Sequence, residues 1–220
     1  MARGLFEKIK QIVFPRDLTC ASCGREAVVN ENGLCVDCAE GIEAFVTAPQ
    51  IDHVDGYTAA YVYNDVSANM IKKLKYNGAR YLARPLADAL NIPEGWEIDA
   101  VVPVPLHYKR IAERGFNQSE LIAKRLAKRL GLKYDGTLLV RRYDTKQQTR
   151  MTAAGRRRNL KDAFLADEKC DGLSILLIDD VRTTGSTLSE CAKTLKNNGC
   201  ARVYAATCCF AKPDEFGADQ

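Results

Sequence analysis

Residues 175–187 read Ile175-Leu176-Leu177-Ile178-Asp179-Asp180-Val181-Arg182-Thr183-Thr184-Gly185-Ser186-Thr187. Four apolar residues run into two acids, a short hydroxyl-rich loop follows, and a helical pattern begins beyond it. The apolar run has the length of a buried strand. The acids fall where that strand ends, and open α/β sheets bind ligands at the carboxyl ends of their strands. Gly185 lets the backbone come close to an anion. The loop amides, the hydroxyls and the helix N-terminus suit a phosphate monoester. The two carboxylates can accept hydrogen bonds from adjacent hydroxyls, as on a ribose. The stretch therefore describes a strand, a turn and a helix arranged around a pocket for a sugar phosphate.

Strands and helices alternate on both sides of it. Tyr57 to Tyr63 is rich in β-prone residues, and Val66, Met70, Ile71 and Leu74 then fall at helical spacing, with Gly78 as a left-handed stop. A second helix is predicted around Tyr81 to Leu90 despite Pro85, and Ala100 to Val104 is a short apolar strand. Ser119 to Leu130 reads as a helix with Asn117 as N-cap, Glu120 supporting the cap and Gly131 closing it. Leu138 to Val140 and Ala163 to Leu165 are short strands. A helix follows the quoted loop as far as Asn198, and Ala201 to Cys209 is a last apolar strand. This alternation predicts an α/β fold with a parallel sheet flanked by helices.

The chain has 220 residues, 46% of them apolar, which suits one ordinary domain and a small appendage. No apolar run is long enough to span a membrane, and charges interrupt the N-terminal apolar residues, so neither membrane insertion nor a secretory signal is expected. The expected location is the cytoplasm. Nine cysteines, an odd number, argue against a disulfide framework in that setting. Four of them, Cys20, Cys23, Cys35 and Cys38, form two CxxC pairs separated by eleven residues. Four thiolates at this spacing favour a closed, structural Zn²⁺ site. An amphipathic helix with Leu5, Phe6, Ile9, Ile12 and Val13 precedes them and ends at Pro15. Residues 1–48 are accordingly read as a helix and zinc-binding module, and residues 49–220 as the α/β domain.

The strand at 100–104 leads into a second ligand-facing turn at the same sheet edge, Pro105 to Arg110 and then Arg114-Gly115-Phe116-Asn117-Gln118. The amide near Leu106 and the cations Arg110 and Arg114 suit a second anion, a pyrophosphate. His107 admits a catalytic or a structural role, and His53 is read as structural. The net charge is +4, but residues 141–161 alone carry +7, with Arg150, Arg156, Arg157 and Arg158 among the cations. This segment and Lys72, Lys73 and Lys75 are of a kind that tracks the phosphates of single-stranded DNA, although charge alone does not separate DNA from pyrophosphate.

The quoted stretch resembles the phosphoribosyl-pyrophosphate (PRPP) loop of type I phosphoribosyltransferases at all thirteen positions. Pro103-Val104-Pro105, His107, Arg110, Arg114 to Gln118, Leu74-Lys75-Tyr76 and Gln148…Arg157-Asn159…Ala163-Phe164 resemble the ComF family, as does the cysteine module in front. The resemblance implies a bacterial protein with an N-terminal zinc ribbon and a type I phosphoribosyltransferase-like domain, linked to natural competence. It implies Asp179 and Asp180 as catalytic, holding the ribose hydroxyls. PRPP would bind through Thr183, Thr184, Gly185, Ser186, Thr187, Leu106, Arg110, Arg114 and Arg157, with Mg²⁺ carried by the substrate. Gln147 to Arg158 would form a lid. PRPP, single-stranded DNA and DNA-uptake proteins are the implied partners. Thr183 stands where purine-salvage relatives have an acid, which weakens a salvage assignment. Two function classes follow: a PRPP-dependent transferase, with nucleotide salvage as one variant, and a non-catalytic nucleotide-sensing or DNA-binding module.

Overall fold

The computed structural model describes residues 19–142 and 163–212. The predicted N-terminal helix and lid lie outside them, as do Gln148, Arg150, Arg156, Arg157, Arg158 and Asn159.

Five parallel strands form the central sheet in the order β1-β7-β6-β2-β3. They are β1 (Gly56–Val62), β2 (Ala100–Pro103), β3 (Lys133–Tyr134), β6 (Ser174–Arg182) and β7 (Arg202–Phe210). The short strands β4 (Leu139–Arg141) and β5 (Phe164–Ala166) do not join this sheet but pair antiparallel with each other, which the parallel-sheet expectation did not foresee. The two-residue strand β3 was not predicted at all. Its Lys133 and Tyr134 pair with Ala100 and Val101.

Two apolar clusters explain why β6 reads as an unbroken apolar run. Leu176 and Ile178 join one with Met70, Leu74, Leu86, Ile122 and Leu126, while Ile175 and Leu177 join the other with Leu188, Cys191 and Leu195. Helices α2 (Asp65–Tyr76), α3 (Ala83–Asp88) and α5 (Gln118–Leu130) thus supply one face and α6 (Ser186–Asn197) the other. A strand buried on both faces has no polar side to alternate. The helix predicted from Tyr81 begins instead as a 3₁₀ turn, Arg80–Leu82, and turns α-helical at Ala83. Helix α4 (Tyr108–Arg114), read from sequence as part of a loop, is capped by His107, whose Nδ1 accepts from the Lys109 amide, and ends at Gly115 with φ 78°.

The cysteine segment packs on the sheet domain. Cys20, Ala21, Leu34, Cys35 and Cys38 share the cluster of Met70, Leu74 and Leu82. The Ser22 hydroxyl donates to the Val66 carbonyl at 2.8 Å, and Lys73 Nζ donates to the Ser22 carbonyl at 2.6 Å. A short helix, α1 (Val36–Gly41), follows. Residues 43–45 then run beside the edge of β1, where the Phe45 amide reaches the Ala60 carbonyl and the Val62 amide reaches Glu43. A covered edge is not open to pairing with another chain. Among the described residues no helix is long and apolar enough to cross a membrane.

At the start of β1, Gly56 lies under the Trp96 indole, which stacks on Tyr204 at 4.5 Å. A Cβ on Gly56 would come within 2.7 Å of Trp96 Cζ2. Gly56→Ala is expected to lower stability by about 1–3 kcal/mol, read as a fall in the urea midpoint at constant slope.

Candidate functional site

The site forms where β6 outruns its neighbour. Strand β2 pairs with β6 from Ala100 opposite Ile175 to Pro103 opposite Ile178, and the Val104 amide donates the last bond, to the Ile178 carbonyl. Strand β6 continues on β7 alone, Asp179 opposite Thr207 and Arg182 opposite Phe210. The two acids therefore stand within the strand rather than after it, on a stretch whose β2 side has opened.

The first turn of α5 fills that opening. Asn117 caps the helix by accepting from the Ser119 amide at 3.1 Å, while its own amide group donates to the Val104 carbonyl at 3.0 Å. The cap ties the helix start to the end of β2. Glu120 pairs with Lys124 rather than completing a capping box. The Ser119 hydroxyl donates to Asp179 Oδ1 at 2.8 Å, and Gln118 Nε2 donates to Asp180 Oδ1 at 2.9 Å. Asp180 is buried, and its Oδ2 forms an ion pair with Lys75 Nζ from the last turn of α2. Asp179 is half-buried and also accepts from the Asp180 amide at 2.9 Å. Burial, and then the neighbouring Asp180 charge, push the Asp179 carboxyl up to about 7. Burial alone would lower Lys75, but the Asp180 carboxylate overrides it and the ammonium is held above its ordinary range.

The loop after β6 turns at Gly185, with φ 81° and ψ 0°, and α6 starts at Ser186. A Cβ at Gly185 would lie 3.3 Å from both Arg182 Nε and Ile51 Cγ1, so glycine is favoured by conformation and by packing. The Thr184 and Ser186 hydroxyls meet at 2.8 Å. Thr184, Gly185 and Ser186 line a cleft of about 250 Å³ with Gln50, Ile51, Asp52, Ser189 and Glu190. Thr183 is exposed and Thr187 half-buried, and neither lines this cleft. Behind the loop, Arg182 is buried between the rings of Tyr57 and Phe210, its guanidinium carbon 4.4 and 5.3 Å from their centroids.

On the β2 side, Leu106 lines a separate, mainly apolar cavity of about 550 Å³ with Ile111, Tyr134, Leu139, Val140 and Leu165. Arg110 is exposed on α4. Arg114 is half-buried, donates to Gln118 Oε1, and places its guanidinium carbon 5.2 Å from the Tyr76 ring centre. The three lysines expected on one cationic surface separate. Lys72 is exposed, Lys73 is tied to the cysteine segment, and Lys75 faces the acids. Burial of the α2 face that carries Lys75 explains the difference.

The Sγ atoms of Cys20, Cys23, Cys35 and Cys38 lie within 4.8 Å of one another. A hydrogen bond from Arg25 pulls the Cys23 thiol down to about 6, which favours its thiolate form at neutral pH. A four-thiolate set of this compactness fits one metal ion such as zinc.

Gln118 and Ser119 were not read as acid-holding residues. Their place in the first turn of a helix starting at this sheet edge was the available signal. The other cysteines described, Cys170, Cys191, Cys200, Cys208 and Cys209, are buried and free.

Residues 116–219 match the phosphoribosyl transferase domain family. The DNA utilization protein YhgH of Salmonella typhi is 42% identical over 111 residues, covering 50% of this chain and 49% of that protein. The chain thus spans about half the length of the curated relatives it matches at this level. Competence protein F of Haemophilus influenzae is 28% identical over 221 residues, covering 84% of this chain and 93% of that protein. Competence protein ComFC of Bacillus subtilis is 28% identical over 190 residues, covering 82% and 72%. Among solved structures, a glutamine PRPP amidotransferase from B. subtilis covers 66% of this chain and 28% of its own at 17% identity, with a TM-score of 0.41.

The raised Asp179 makes a pH prediction. An unfolded aspartate loses its proton near pH 4, whereas Asp179 in the fold keeps it to about pH 7. The native state then binds the extra proton, so this group contributes stability below pH 4 that is lost as pH rises to about 7. Asp179→Asn should reduce the loss of stability between these two pH values, measured by urea unfolding at each. An unchanged pH slope would contradict the shift.

Proposed function

Because the chain is a ComF-family protein with a phosphoribosyltransferase-type domain, we propose that it binds PRPP and acts in the cytoplasm in single-stranded DNA handling during natural transformation. The observation that carries this reading is the succession, at the carboxyl end of β6, of the acid pair and then the glycine-started N-terminus of α6. A ribose 5′-phosphate needs both: carboxylates for its diol and amides for its phosphate.

In this reading Asp179 and Asp180 accept hydrogen bonds from the ribose hydroxyls. The amides and hydroxyls of the loop 183–187 donate to the 5′-phosphate. The Leu106 amide with Arg110 and Arg114 faces the pyrophosphate, joined by Arg157 from outside the described residues. Mg²⁺ bound to the pyrophosphate oxygens of the substrate would offset their charge. In transfer, the bond from C1 to the pyrophosphate oxygen breaks as the acceptor bonds to C1, and positive charge gathers on the ring. The nearby carboxylates favour that charge. Among the cations, Lys72 and the segment holding Arg150, Arg156 and Arg158 are the candidates for DNA phosphates, and DNA-uptake proteins are the candidate partners. Residues 1–48 form the metal module and 49–220 the transferase-like domain, with zinc as the resident ion.

Two measurements test this reading. PRPP with Mg²⁺ should bind the protein, and Asp179→Asn should weaken it by about 10- to 100-fold, the worth of a charged hydrogen bond. Absence of binding by the parent would refute the site. Binding without pyrophosphate release, with single-stranded DNA present or absent, would assign a nucleotide-sensing module instead. For the cysteines, strong chelation should release about one equivalent of zinc and expose residues 19–40 to proteolysis. Protein prepared under reducing conditions and free of zinc would refute the metal assignment.

A further inference from the structure

Lysine near a helix end is ordinarily solvated, as Lys72 is on this helix. Lys75 is not: its side chain is 20% exposed and the Asp180 side chain that it meets is 6% exposed. The pair belongs to a chain of contacts across four elements. Arg114 of α4 donates to Gln118 of α5, Gln118 donates to Asp180 of β6, and Asp180 pairs with Lys75 of α2. Lys73, two residues earlier, is bonded to the Ser22 carbonyl, which fixes how α2 sits over the sheet edge. Asp179, by contrast, is hydrogen-bonded among the described residues by a serine hydroxyl and a backbone amide.

We propose that Lys75 is a positioning residue of the acid pair: its ammonium holds Asp180 in place and balances its charge, leaving Asp179 as the freer of the two acids toward the ribose diol. The inference rests on the ribose-phosphate reading of the site and divides the work between the two acids. PRPP is a polyanion, and two adjacent uncompensated carboxylates would repel it. One of them already has a cation on it before the ligand arrives. Removing the cation leaves a buried charge without a counter-charge, the costly way to break such a pair. Removing both charges together avoids that. A residue that acts through Asp180 must therefore lose its effect when Asp180 is neutral, whereas a residue that only packs α2 must not.

The test is a double-mutant cycle on PRPP–Mg²⁺ binding by the full chain, with Lys75→Met and Asp180→Asn. In the parent background Lys75→Met should weaken binding about tenfold or more, and in the Asp180→Asn background by less than about threefold. Lys75→Arg, which keeps the charge, should stay within about threefold of the parent. Equal losses in the two backgrounds would overturn the inference and leave the PRPP reading standing. No binding by the parent would overturn both. Should Lys75→Met alone not fold, the paired variant Lys75→Met/Asp180→Asn decides: recovery of a cooperative melt supports the charge-balancing role, and continued failure to fold overturns it.

Discussion

Everything at the candidate site depends on strand β6 continuing for four residues after β2 has left it. Up to Ile178 the strand is pinned on both edges and on both faces. Beyond it, β7 alone holds the backbone, and the vacated edge is where polar side chains can be buried in company. The start of α5 enters there and supplies a serine for one acid and a glutamine for the other. Without the pinned half, the projecting half would have no fixed place. Without the vacated edge, two adjacent carboxylates would face an apolar neighbour at a cost of several kcal/mol each.

Much of this was legible in the sequence because it depends on local pattern. The apolar run 175–178, the acids, Gly185 and the alternation of strands and helices fixed the parallel sheet and the edge that carries the loop. The CxxC spacing anticipated the compact thiol cluster. What escaped depends on tertiary burial. Strand β3 has two residues, too few to show a period. Helix α4 contains Lys109, Arg110, Glu113 and Arg114 and buries no residue, so it lacks an apolar stripe. Lys72, Lys73 and Lys75 look alike in a one-dimensional reading. Only the packing of α2 on the cysteine segment and on β6 gives each a different partner.

The cysteine segment is more than an appendage in this arrangement. Its thiols join the cluster that packs α2, and its backbone carbonyls receive Lys73. A small module with few apolar residues gains little from its own core, and a closed metal site would supply the rigidity that its size does not. That rigidity would pass to α2, whose last turn carries both Lys73 and Lys75.

The charges around the acids follow from the same geometry. An acid pair that received a polyanion, as proposed for PRPP, would face opposed requirements: carboxylates to hold hydroxyls, and little net negative charge at the moment of binding. The two carboxyls are unequal in their surroundings. Asp180 is buried and paired with Lys75, while Asp179 shares its proton with solvent at neutral pH because burial and Asp180 both disfavour its charge. Arg114, joined to the same pair through Gln118, adds positive charge toward the β2 side, where the second anion would lie. Two carboxyl groups held by different partners, one by a lysine and a glutamine and one by a serine, can perform two tasks, and adjacent identical residues are then no redundancy.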